Sequence, residues 1–295
     1  MTTTIERAES RQPLASRPVR ARRKLNWNTV VRLILLLLAA ALTLGPVMWT
    51  LSTSLRSPSE SFKLPPSFFP WNPDFSSYAQ VFQQLDIVIL VLNSALVTGV
   101  IAVGQMLTAA MAGYAFANLK FRGSRALFSI VLATMMVPVQ VTIVPVFMLI
   151  RGMGLSDTLL ALILPAIPTA FGTFLMRQYF LGLPADLAEA ASIDGASPWR
   201  TFRSVYAPLA VPGMAIVGIL AFNFHWNEFF RPLIMTISEQ NFTLPLGLVS
   251  LQGNLGTGSI SVVLAGVVLS MIPALVVLIF GQRALQTGLT TGTGK

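Results

Sequence analysis

The end of one apolar stretch holds Asn223, His225, Asn227, Glu228 and Arg231 within a few residues of one another. Polar groups at membrane depth are costly, so such a cluster marks a candidate site. Asn223 and Asn227 fall on one helical face at a spacing of four and could present amides to the hydroxyls of a sugar. Glu228 and Arg231, at a spacing of three, suit an ion pair, and the alternative for the whole cluster is that it pairs with itself at the outer membrane interface. His225 is the chain's single histidine and there is no cysteine, so no second nitrogen or sulfur ligand exists to build a metal centre around it. The same shortage argues against an intramembrane enzyme, which needs an activated nucleophile or a metal cluster. Gly292, Gly294 and Lys295 end the chain in a glycine-rich, lysine-terminated run. A phosphate-binding loop would need glycine at 289, where Leu289 stands, and Ser or Thr after the lysine. ATP hydrolysis is therefore not expected of this chain, and no cofactor is implied.

A second polar group, Glu189-Ala190-Ala191-Ser192-Ile193-Asp194-Gly195, lies between two long apolar stretches. Pro184 suits the first position of a helix and Gly195 the left-handed residue just past its end, which predicts about three turns over 184–194. Asp186 and Glu189 then sit near the positive end of the helix dipole. Leu187, Ala190 and Ala191 share a side, and the small alanines allow another surface to come close. Ser197 caps a second helix with Pro198 at its first position, and Trp199, Phe202 and Val205 or Tyr206 form its apolar stripe. Two short helices bent at a glycine suit either a docking element or an amphipathic segment lying along lipid headgroups.

The elements that must hold these groups are membrane helices. Hydrophobic residues make up 54% of the chain and charged ones 11%, against roughly 25% charged in a soluble domain. Crossing the hydrocarbon core takes about 20 mostly apolar residues, and six stretches qualify, near 31–53, 87–111, 126–150, 157–180, 208–230 and 261–283. An even number of spans puts both termini on one side. Lysines and arginines gather before and at the first span, in the segments around 120–125, 177 and 200–203, and at 283 and 295. Only Arg56, Lys63, Arg151 and Arg231 lie on the other side. The positive-inside rule then places both termini and the Glu189 loop in the cytoplasm. The net charge of +9 reads as membrane orientation, with no basic face interleaved with aromatic platforms for nucleic acid.

The expected fold is thus an all-α integral membrane protein. It has a disordered basic tail (1–27), a six-span domain (28–283) with a loop at about 181–207 between spans four and five, and a cytoplasmic C-terminal tail (284–295). Prolines and aromatics at 56–78 predict a stiff outer loop. Prolines recur inside spans, including Pro138, Pro145, Pro165 and Pro168, where kinked helices often line a transport path. Ala95 with Gly99 and Ala109 with Gly113 have the spacing that lets helices approach closely. All eleven acidic residues lie outside span centres, which weighs against a secondary transporter driven by an ion gradient.

From Glu189 the chain continues through Ala196-Ser197-Pro198-Trp199-Arg200-Thr201-Phe202-Arg203-Ser204-Val205-Tyr206-Ala207-Pro208. The whole resembles the EAA loop in the membrane subunits of binding-protein-dependent ABC importers. Glu189, Ala190, Ala191, Gly195 and Pro208 match at the expected spacing, while Val205 and Ala207 replace the usual isoleucine and leucine. Asn93-Ser94, Gly113-Tyr114-Ala115-Phe116-Ala117, Pro138 with Gln140 and Pro145, Trp226-Asn227, Thr243-Leu244-Pro245-Leu246-Gly247-Leu248 and the closing Gly288 to Lys295 are similar to the same family in order. They look like the carbohydrate branch, in particular the smaller six-span subunit of maltose and glycerol phosphate importers.

The resemblance implies a permease subunit in a bacterial plasma membrane that moves a sugar or oligosaccharide. It implies as partners two ATP-binding cassette ATPases, a second permease in a heterodimer and an extracytoplasmic solute-binding protein. It assigns ATPase coupling to Glu189, Ala190, Ala191, Asp194 and Gly195, and an ATPase-contacting tail to Gly292, Gly294 and Lys295. Asn223 and Asn227 are left as candidates for the substrate path.

Overall fold

The computed structural model describes residues 27–60, 72–184, 186–253 and 258–291, the last nine of these by their backbone. Most of the basic tail, the proline-rich 61–71 and the terminal 292–295 lie outside the described residues, and with them the expectations for Gly292, Gly294 and Lys295. No strand occurs among the described residues. In chain order, α1 (Trp27–Ser54), α2 (Ser76–Gln84) and α3 (Ile87–Asn118) are followed by α4 (Ser124–Thr134) and α5 (Val139–Gly152). Next come α6 (Leu159–Ile163), α7 (Ala170–Leu181), α8 (Asp186–Ile193) and α9 (Pro198–Thr201). A π-turn at Phe202–Tyr206 leads through α10 (Ala207–Leu209) into α11 (Val211–Trp226). The short α12 (Phe230–Met235) and α13 (Leu244–Val249) precede α14 (Ile260–Thr291), which runs past the expected end of the last span at 283.

The chain forms two compact units that divide after Val47. In the first, the helix beginning at Trp27 turns Leu33, Leu35, Leu36 and Leu38 outward, as a helix surrounded by lipid does. In the second, α3 packs along α7 and α11, and α14 lies against α11 and α2. Glycine makes the α3–α7 approach possible: a β-carbon on Gly113 would stand 2.6 Å from Met176 Cβ and 2.8 Å from the Arg177 nitrogen. Ala109 is fully buried one turn away, beside Gly172. The Ala109/Gly113 spacing is therefore used within the chain, whereas a β-carbon on Gly99 would meet nothing within 4 Å beyond its own helix backbone.

By length and composition α1, α3 and α14 can each cross a membrane, and three bent helix pairs raise the number to six. The spans expected near 126–150, 157–180 and 208–230 are broken helices, with bends of 100° between α4 and α5, 41° between α6 and α7, and 73° before α11. Proline explains the first two. Pro138 adopts extended backbone before α5, and a proline disfavours helix in the residue ahead of it. Pro165 and Pro168 each remove a backbone donor where α6 gives way to α7.

Candidate functional site

Breaking a helix at membrane depth frees carbonyl oxygens that other groups must satisfy. At the α6–α7 break, side chains from neighbouring helices do so. Gln105 of α3 donates to the Ala166 carbonyl at 2.8 Å, and Thr108, one turn on, donates to that of Ile167 at 3.2 Å. Arg231 of α12 donates through Nη1 to the Leu162 carbonyl at 3.0 Å.

The same side chains continue into a polar chain. Gln105 Nε2 lies 3.2 Å from His225 Nε2, and His225 Nδ1 lies 2.6 Å from Glu228 Oε2. An amide nitrogen can only donate, so Nε2 of the imidazole accepts and Nδ1 carries the proton toward Glu228. The other Glu228 oxygen meets Arg231 Nε at 3.2 Å. Gln105, His225 and Arg231 are each at most 9% exposed. The expected Glu228–Arg231 pair is thus present, and the cluster largely pairs with itself. Its reach to Gln105 and Leu162 was not legible in the sequence, because those partners lie 120 and 69 residues from theirs.

This chain walls a cavity of about 710 Å³. Gln105, Asn223, His225 and Arg231 line it together with Thr134 and Thr169, and Phe171 and Phe224 offer ring surface. No carboxylate is among the lining residues. Asn223 lies on the cavity as its type suggested, but Asn227 does not share that role. It ends α11, outside the cavity lining, and its side chain turns back to donate to the Asn223 carbonyl at 2.8 Å. A face argument assumes that the helix continues, and α11 stops at Trp226.

A second arrangement holds the loop between α12 and α13. Asn93 donates to the carbonyls of Gln240 and Phe242 at 2.8 and 3.0 Å, and Ser94 accepts from the Leu244 amide at 2.7 Å. Asp157, itself at φ +57°, accepts from the Ile237 and Ser238 amides at 2.8 and 3.0 Å and from the Ser238 hydroxyl, while Asn241 donates to its carbonyl. The Ser238 hydroxyl, then those two amides and Asn241, hold the Asp157 carboxyl well below the usual carboxylate range. A depressed folded value means that the stabilisation is full above the ordinary value of about 3.9 and is lost progressively as pH falls from there through the lower one. Asp157→Asn, which tolerates the left-handed backbone, is expected to speed amide exchange at Ile237 and Ser238 at neutral pH. Unchanged protection there would remove Asp157 as the anchor.

The polar loop has a capped but shorter first helix. α8 starts at Asp186 rather than Pro184, giving eight residues and about two turns. Its end is a Schellman motif: Ala196 N–H bonds the Ala191 carbonyl at 2.9 Å, Gly195 N–H bonds that of Ser192 at 3.0 Å, and Gly195 has φ +68°. Ser197 caps α9 as expected, accepting from the Arg200 amide. The predicted side of α8 is revised. Ala191 is buried and Leu187 and Ala188 pack inward, while Glu189, Ala190, Asp194 and Gly195 are exposed. Two apolar side chains of the loop are exposed, Ile193 at 86% and Trp199 at 60%, so of the apolar stripe expected on the second helix Phe202 and Tyr206 turn inward and Trp199 does not. The signal for Ile193 was a large apolar residue in an otherwise polar loop.

Beneath the loop lies an aromatic cluster. Tyr114, near the end of α3, packs against Phe180, Phe202 and Tyr206 with ring centres 5.1 to 5.9 Å apart. Its hydroxyl donates to the Pro198 carbonyl at 3.3 Å. Tyr114 and Gln105 lie nine residues apart on one helix, about 14 Å at the usual rise. A single rigid element therefore joins the loop to the cavity wall.

Residues 105–290 match the family described as binding-protein-dependent transport system inner membrane component. The arabinooligosaccharides transport system permease protein AraQ of Halalkalibacterium halodurans is 38% identical over 69% of this chain and 72% of its own. The trehalose transport system permease protein SugB of Mycobacterium tuberculosis is 35% identical, covering 93% of this chain and 99% of its own. Among solved structures, a chain of a bacterial ABC transporter involved in import of the acidic polysaccharide alginate superposes with a TM-score of 0.77. It is 26% identical, over 92% of this chain and 99% of that one.

Proposed function

The chain belongs to the family of binding-protein-dependent transport system inner membrane components and is a membrane permease subunit, not an enzyme; from that premise we propose that it passes a sugar or oligosaccharide through an ATP-driven importer. The observation that carries the sugar is the cavity at the α6–α7 break. Its volume of about 710 Å³ and its lining of amides, hydroxyls, an imidazole and two phenyl rings suit a polyhydroxylated ligand. Relatives named for arabinooligosaccharides and trehalose point the same way. Asn223 belongs to the path, and Asn227 acts only by donating to the Asn223 carbonyl.

The distribution of basic residues favours six spans with both termini and the α8 loop in the cytoplasm. Residues 1–27 and 284–295 are then cytoplasmic tails on a permease domain. Glu189, Ala190, Asp194 and Gly195 form the outward face that docks onto an ATPase, and Ala191 seats the helix from within. Gly292, Gly294 and Lys295 form a second ATPase contact. ATP-driven closure of two ATPase subunits moves this loop, and the aromatic joint at Tyr114 carries the motion along α3 to Gln105. A second permease completes the pathway, and an external solute-binding protein delivers the substrate.

The test is to tag this chain, extract it gently from native membranes and count what copurifies. Two ATPase copies and one different permease are expected. Recovery of the chain alone, even after crosslinking, would overturn the reading.

A further inference from the structure

The wall of the cavity carries a guanidinium yet presents no net charge. Arg231 lines the cavity, and Glu228, which does not, stands behind it with Oε1 3.2 Å from Arg231 Nε and Oε2 2.6 Å from His225 Nδ1. His225 accepts from Gln105 at Nε2, so the imidazole adds no charge on the cavity side. Glu228 has both oxygens engaged on the wall's two basic side chains, one each. The remaining lining groups are neutral: Gln105, Asn223, Thr134, Thr169 and apolar side chains.

We propose that Glu228 sets the substrate class, masking Arg231 so that the cavity accepts uncharged saccharides and rejects those bearing carboxylates. This rests on the reading of the cavity as the sugar path. Arg231 uses Nε and Nη1 for Glu228 and the Leu162 carbonyl. A guanidinium has five N–H donors, so others remain for a hydroxyl without disturbing the pair. A uronate would bring a second carboxylate to the same guanidinium. It must either share Arg231 with Glu228, like charge beside like charge, or displace Glu228 and leave that largely shielded carboxylate without its cation. A neutral sugar meets neither penalty. Discrimination by leaving a charge unpaired in the wrong complex is a general route to specificity.

The experiment uses the importer complex recovered through a tag on this chain, titrated calorimetrically with maltotriose and with trigalacturonate as probes. Native complex is expected to bind maltotriose at least about tenfold more tightly than trigalacturonate, an advantage worth about 1.4 kcal/mol. Glu228→Gln should shift that ratio at least tenfold toward trigalacturonate, because the freed Arg231 then lacks a counter-charge that the ligand supplies. Adding Arg231→Met to Glu228→Gln should abolish the gain, since without the guanidinium nothing reads the carboxylate. A structural role alone would change both affinities together and leave the ratio where it was.

An unchanged ratio in Glu228→Gln, or a gain that persists in the double variant, would overturn the proposal. Should the variants fail to assemble, the native measurement decides alone: equal binding of the two probes sinks the masking role. Native complex that binds neither probe would instead refute the cavity as a sugar site, so the two failures are told apart.

Discussion

Gly195→Val is expected to leave membrane insertion intact while cutting substrate transport about tenfold or more, with ATP hydrolysis no longer tied to it. Gly195 sits at φ +68° and closes α8 through the Schellman bonds to Ser192 and Ala191. A left-handed backbone costs a residue with a β-carbon about 1–2 kcal/mol, and a β-branched one tolerates it least. Since each 1.4 kcal/mol is tenfold, the native bend between α8 and α9 would lose roughly five- to thirtyfold against its alternatives. Apart from the glycine and its two chain neighbours, no atom lies within 4 Å of where a β-carbon would stand. The new side chain would therefore not clash internally, and the loss would arise from the bend or from the surface that docks there. Gly195→Asn separates these, because asparagine accepts left-handed backbone. Near-native transport in Gly195→Asn assigns the effect to conformation, and equal loss in both assigns it to contact. Native transport with normal ATPase stimulation in Gly195→Val would mean that the loop couples nothing.

The second large effect is on packing. Gly113→Ala adds one carbon to α3, but that carbon would lie 2.6 Å from Met176 Cβ, 2.8 Å from the Arg177 nitrogen and 2.9 Å from the Met176 carbonyl carbon. Two of these atoms are backbone of α7, which cannot rotate away. In lipid, helices associate largely through van der Waals packing, so forcing α3 and α7 apart removes much of what holds them. Overpacking of this kind typically costs about 1–3 kcal/mol, and a backbone clash belongs at the upper end or beyond. The thermal melting point of the purified chain should fall by several degrees, as read by size-exclusion chromatography after heating. Gly99→Ala is the matched control on the same helix. Nothing lies within 4 Å of its β-position, so the melting point should not move. A native melting point for Gly113→Ala would refute the close crossing of α3 and α7.

Much of this was legible in the sequence because it is local. Pro198 after Ser197 and Gly195 after Asp194 are stop and start signals within a few residues, and the structure has the cap and the Schellman motif at those positions. Glu228 and Arg231 pair at a separation of three, as their spacing implied, although Glu228 lies in the link between α11 and α12. Helical periodicity failed where the helix itself failed. The face drawn through Asn223 and Asn227 assumed a continuous α11, and the span drawn through Pro138 assumed that α4 and α5 were one helix. The side assigned to Ala190 and Ala191 was half right, because only the packing of α8 over the aromatic cluster decides which alanine turns inward.

The sequence by itself determined the all-helical membrane class, the lengths of the apolar runs, the capped polar loop and, through its ordered motifs, the permease family. These depend on hydropathy and on backbone preferences, which act over one or two turns. Only the tertiary structure decided that Gln105, His225, Glu228 and Arg231 form one buried chain around the α6–α7 break, that Asp157 anchors the loop after α12, and that Tyr114 reaches Pro198. Each joins residues far apart in the chain through a broken helix or a glycine crossing. A proline states that a carbonyl will lose its donor, but the replacement is set by which helix packs across the break, and no local pattern encodes that.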